Sequence, residues 1–132
     1  MLFDERRRQK VYGNVEQPMN RYVEFVMEQF APLGTITARS MFGGYTLYCE
    51  GIPFALIASE AVYLKVDDQN HAQFEVRGLQ AFKPYADKPG VMQYFQIPPE
   101  IFEDDQALRA WGGPAIEAGW RALAKKKPKN IR

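Results

Sequence analysis

Residues 35–66 read TITARSMFGGYTLYCEGIPFALIASEAVYLKV, and this stretch decides the fold. Residues 35–42 are rich in β-branched side chains and predict a first strand. Gly43-Gly44 interrupts it, as a bulge or tight turn would. Tyr45, Leu47 and Cys49 then alternate with Thr46 and Tyr48, a period of two. Glu50-Gly51 suits a two-residue hairpin turn, because glycine tolerates positive φ. The apolar run from Ile52 to Ala58 is strand-length and predicts a central, covered strand. Ser59-Glu60 turns the chain again. Val62, Leu64 and Val66 then face inward, with Tyr63 and Lys65 on the other side. The whole segment is an antiparallel meander.

Upstream, the period is that of a helix. Asn20 is an N-cap candidate, and Tyr22, Val23, Val26, Met27 and Phe30 form one apolar stripe. Pro32 and Gly34 end it. Downstream, Asp67 or Asp68 is expected to cap a short helix reaching about Arg77, with Gly78 as its left-handed terminus. Residues 81–85 contain Pro84 and predict an edge strand; residues 87–90 predict a loop, and residues 91–97 a further strand ending at Pro98-Pro99. The remainder is helical, with Leu108 and Trp111 before an expected break at Gly112-Gly113-Pro114, and Ile116, Trp120 and Leu123 after it. Strands grouped apart from helices predict an α+β fold of two layers, one mostly antiparallel sheet with helices on one face.

The chain has 132 residues, one cysteine and a formal net charge of +1. That length suits one domain with a sizeable core. A single cysteine excludes an internal disulfide framework and a multi-cysteine zinc site. The charges are unevenly spread. Residues 20–124 hold 8 basic and 13 acidic side chains, a net of −5, whereas residues 125–132 hold 5 basic and no acidic ones. The expected organisation is a flexible N-terminal extension over residues 1–18, a domain over 19–124 and a basic tail over 125–132. Met19, just before the first helix, reads as an alternative start. No apolar run is long enough to span a bilayer, and no secretory signal is present, so a cytoplasmic location is expected and no membrane partner.

No residue pattern forms a catalytic set. His71 is the single histidine and reads as a solvated helix residue. Cys49 reads as a small buried hydrophobe; the pair Cys49 and His71 is the one nucleophile–base combination available. Asp67-Asp68 and Glu103-Asp104-Asp105 stand where helices begin, which the helix dipole favours. Gly43-Gly44 lacks the spacing of a phosphate loop. Met41, Met92, Tyr48, Tyr63, Tyr94 and Phe95 lie on strands, where aromatics can stack bases; with only Arg39, Lys65 and Lys83 as cations there, core packing is the expected role. Lys125, Lys126, Lys127 and Lys129 are candidate phosphate contacts, or else a solvated end that suits a helix C-terminus. No cofactor and no metal is expected.

The stretch Arg39-Ser40-Met41-Phe42-Gly43-Gly44-Tyr45, followed by Phe54 to Ala58, by Leu64-Lys65-Val66-Asp67 and by Tyr94 to Pro98, resembles the N-terminal domain of the TfoX/Sxy competence-regulator family. The resemblance runs from about Tyr22 to about Leu123. It implies an α-β(3)-α-β(2)-α order, secretion-chaperone-like in shape, and a bacterial protein that regulates competence genes. The resemblance also implies a second, helical domain in full-length regulators of this kind, and these 132 residues are expected to hold only the first. Thr46 stands where a glycine is common in the family. Within the motif, Arg39 is expected to fork onto a carboxylate or backbone carbonyls, Gly43 and Gly44 to shape the chain, and Met41, Phe42 and Tyr45 to pack or meet a partner. The expected function is a non-enzymatic regulatory or adaptor domain acting on protein partners, a homodimer among them. The alternatives are nucleic-acid binding through the tail, and an enzyme built on Cys49 and His71.

Overall fold

The computed structural model describes residues 20–41, 43–82 and 93–131, the side chains of 127–131 excepted. The expected extension over 1–18, Met19, Phe42, Pro84, the loop over 87–90 and Met92 lie outside the described residues.

Helix α1 is Arg21–Phe30, and the Asn20 side chain accepts from the Tyr22 N–H at 2.7 Å, satisfying one orphan donor of the first turn. Its stripe buries Val23, Val26, Met27 and Phe30. A 3-10 turn over Ala31–Leu33 leads into the sheet. Four strands follow: β1 Ile36–Met41, β2 Gly44–Cys49, β3 Ile52–Ala58 and β4 Ala61–Lys65. After helix α2, His71–Val76, comes the short strand β5, Tyr94–Gln96. All pairings are antiparallel and the strand order is β1-β2-β3-β4-β5, so the described sheet has five strands. The total matches the implied order, with α2 entering after the fourth strand.

The turns are tight. Glu50 and Gly51 have φ of 53° and 82°, the doubly left-handed turn that matches strand twist. Ser59 and Glu60 take φ of 51° and 58°, although neither is a glycine. Between Leu47 and Tyr48 the register to β3 shifts, and the extra residue brings both Phe54 and Ala55 into the core.

Three expectations change. Helix α2 starts at His71, not at the Asp pair: the Asp67 carbonyl accepts from the Asn70 and His71 N–H groups in the turn before it. The strand expected from residue 81 is a single bridge between Ala81 and Phe95 within the described residues. The last helix does not break at Gly112-Gly113-Pro114. Helix α3 runs unbroken over Asp105–Ile131 and carries the basic tail on its end. Packing overrides the local preference: Gly119 lies against the Pro53 carbonyl with no room for a side chain, and Gly112 packs on the end of the Leu33 side chain.

The register sorts the sheet into two faces. On the inner face Ile36, Leu47, Ala55 and Leu64 sit over one core with Val23, Val26 and Phe30 of α1, Phe74 of α2, and Leu108 and Ala115 of α3. Phe30 meets Phe54 and Phe102 edge to face at 5.0 and 5.1 Å. Asp104 caps α3, accepting from the Ala107 N–H at 2.8 Å.

Helix α3 is tied to the end of β4 by charge. Arg121 donates twice to the Asp67 carboxylate, at 2.7 and 3.0 Å. The Arg121 hydrogen bond holds the Asp67 carboxyl below its ordinary value of 3.8. An unfolded Asp67 therefore takes up its proton at higher pH than the folded one. The pair's contribution is complete above about pH 5 and is lost as pH falls through 3.8 toward the lower folded value. Asp67→Asn is expected to cost about 1 kcal/mol at pH 7, and the difference from the parent chain should close on acidification. Urea titrations at pH 7 and pH 3 check this; a difference that stays constant would count against it.

Candidate functional site: the outer face of the sheet

The outer face carries the side chains that the core does not use. Cross-strand partners share a face, and the register lines up Arg39, Thr46, Leu56, Tyr63 and Gln96 in one row. A second row holds Thr37, Tyr48 and Pro53, and Lys65 stands opposite Tyr94. None of these residues is acidic, on a domain whose residues 20–124 carry a net −5.

Cations and rings are interleaved here. The Arg39 guanidinium lies 5.8 Å from the centroid of the Tyr48 ring, and Lys65 Nζ lies 4.9 Å from that of Tyr94. Tyr63 tilts against Phe82 at 4.9 Å. Leu56 forms the floor, 4% exposed, with Thr46 beside it. The Thr46 hydroxyl donates to Met41 Sδ at 3.1 Å. Burial pushes the Tyr94 hydroxyl up to about 12, with a smaller push from Tyr48. Burial pulls the Lys65 ammonium down, Lys126 on α3 pulls it further, and Asp67 opposes both. The end of α3 thus adds its charge to this face.

These positions change the reading of the strand aromatics. Tyr94 is buried, as core packing requires, but on the face away from Phe30 and Phe54; Tyr48 and Tyr63 are half-buried on that same face, which Arg39 and Lys65 share. Phe95 does pack inward, against Phe74 at 5.7 Å and His71 at 5.2 Å. Alternation within one strand could not show this, because it takes register to align different strands.

The family-type motif divides between the faces. Arg39 and Met41 are exposed on the outer one. The expected fork of Arg39 is not made: among the described residues its partner is the Tyr48 ring, and no carboxylate pairs with it. Tyr45 packs on the core. Gly43 has φ of 83° and open space around it. A Cβ on Gly44 would overlap the Ile57 carbonyl oxygen, so this glycine lets β2 and β3 close up. Lys125 and Lys126 are exposed on α3; the side chains of Lys127 and Lys129 lie outside the described residues.

Cys49 and His71 do not meet. Cys49 is 2% exposed on β2, its thiol donating to the Leu33 carbonyl at 3.6 Å, and burial pushes the thiol up, with help from Glu50. His71 stands toward the far edge of the sheet, against β5, with its Nδ1 3.6 Å from Glu75. Three strand spacings separate β2 from β5, about 14 Å. Among the described residues no group of three or more His, Cys, Asp or Glu is placed to hold a metal ion, and no helix is long and apolar enough to cross a membrane.

Two residues with structural parts escaped the sequence reading. Asn70 is 4% exposed; its Oδ1 accepts from the Asp67 N–H at 2.8 Å and its amide donates to the Lys65 carbonyl at 3.1 Å. Asn70 left a weak signal, an Asn just before a helix; Arg121 left none, because its partner is 54 residues away.

The model of the TfoX N-terminal domain matches residues 28–119. The chain is also similar to Protein Sxy of Escherichia coli strain K12, 27% identical over 107 residues, covering 80% of this chain and 49% of that protein. The chain therefore spans about half the length of this curated relative.

Proposed function

The chain belongs to the TfoX N-terminal domain family, and from that premise we propose that it is a regulatory domain, working in bacterial competence-gene expression, that acts by contact with another protein and not by catalysis. The observation that carries the protein contact is the free edge of β1. Within the described sheet β1 pairs on one side only. It is six residues long, with neither a proline nor a lysine to discourage a further strand. An extended segment of a partner can add there through main-chain hydrogen bonds.

The direction of the free donors is fixed. The Thr35 carbonyl accepts from Glu50 N–H, and its own N–H donates to the Glu50 carboxylate. Thr35 thus points toward β2, and by alternation the N–H groups of Ala38 and Ser40 point to the free edge. Ser40→Pro removes one edge donor without removing a β1–β2 bond. Affinity capture from the native bacterium is expected to retain a protein that the Ser40→Pro variant releases, with competence-gene expression falling in step. Light scattering separates a second copy of this chain, seen as doubled mass, from a different partner. A parent chain that stays monomeric and captures nothing, or a variant that captures the same protein equally well, would defeat the reading.

A further inference from the structure

The outer face of the sheet presents side chains, where the β1 edge presents main-chain donors, and its exposed chemistry is that of a ligand site. We propose that it binds single-stranded nucleic acid, with bases on Tyr48 and Tyr63 and phosphates on Arg39, Lys65 and Lys126.

Charge complementarity names a polyanion. The strand residues of this face include cations and no acid, although acids outnumber bases on the domain as a whole. Lys65 is half-buried and feels Lys126 of α3 as well as Asp67, so cationic charge from two elements meets at this end of the face. Arg39 has a ring beneath it and no carboxylate partner among the described residues. A guanidinium plane lying open in this way can stack a base or grip a phosphate.

The aromatics narrow the polyanion to nucleic acid. An acidic peptide or free phosphate would use the cations but leaves the rings without a role. Tyr48 on β2 and Tyr63 on β4 are two strand spacings apart, about 10 Å. Bases resting on both must be unstacked from one another, which a single strand permits and a duplex resists. A sheet face cannot enter a duplex groove as a helix does, which again favours single strands. Such binding depends on rings and cations together and so differs from attraction to a basic tail alone.

Fluorescence anisotropy with a labelled oligothymidylate and the full chain tests the proposal. The expected result is binding that a duplex of equal length competes for poorly. Tyr63→Leu, which keeps an apolar contact for Phe82, should weaken it roughly tenfold. Lys65→Gln with Lys126→Gln should lower the slope of log affinity against log salt by about 1.4. Arg39→Gln, at an exposed position, gives a reading that does not depend on the folding of the tyrosine variant and should weaken binding. Ser40→Pro should leave it unchanged, which keeps this test separate from that of the β1 edge. No binding at low salt would overturn the proposal. So would equal competition by duplex or by polyglutamate, or affinity lost with residues 125–132 but untouched by Tyr63→Leu and Arg39→Gln.

Discussion

Phe30→Ala is expected to destabilise the domain by about 3–5 kcal/mol, the largest effect of any single truncation considered. Phe30 is 0% exposed and closes the C-terminal turn of α1 over the sheet. Its ring meets Phe54 of β3 and Phe102 of the 3-10 turn before α3, both edge to face. One side chain therefore joins three parts of the chain that are far apart in sequence. Removing it forfeits transfer free energy, two ring contacts and the packing around the cavity left behind. Phe25 on the same helix is 49% exposed, and Phe25→Ala should change stability by less than about 0.5 kcal/mol. Urea unfolding of both variants checks the pair; a Phe30→Ala loss near that of Phe25→Ala would mean that the core does not close on Phe30.

Gly119→Ala is expected to cost about 2 kcal/mol although it replaces a poor helix former with the best one. Alanine would add about 1 kcal/mol of helical stability at an unconstrained site. At position 119 the new Cβ would overlap the Pro53 carbonyl oxygen and crowd Ile52 Cγ2, 2.8 Å away. Backbone cannot rotate out of the way as a side chain can, so α3 would have to lift from β3. Gly113, six residues earlier on α3, has nothing within 4 Å of the same atom. Gly113→Ala should therefore stabilise, by about 0.5–1 kcal/mol. Opposite signs for two identical substitutions in one helix separate close packing from propensity. Thermal melts of both variants read the signs directly, and a stabilising Gly119→Ala would show that α3 does not press on β3.

Much of the fold was legible because its signals are local. The Asn20 cap, the stripe through Phe30, the four-strand meander and the two-residue turn at Glu50-Gly51 each depend on residues within a few positions of one another. The break read at Gly112-Gly113-Pro114 was a local signal overruled from a distance. Two glycines and a proline weaken an isolated helix, yet α3 continues through them because Leu108, Ala115 and Ala118 on either side are buried in the fold. The candidate site was less legible. Alternation puts Tyr63 and Lys65 away from the core and the motif singles out Arg39, but nothing in one strand's alternation says how it meets the next, so their alignment with Tyr48 was not legible.

What the sequence by itself determined was the set of elements, the class of fold and the resemblance to a family. Periodicity, caps and turn residues act over short separations, and a single chain displays them in full. What only the tertiary structure decided was which faces align. Cross-strand register put cations and tyrosines together on the outer side, set Cys49 three strands from His71, and joined Arg121 to Asp67. Those pairings arise from non-local packing, in which the whole core selects one register, and no window of sequence contains it.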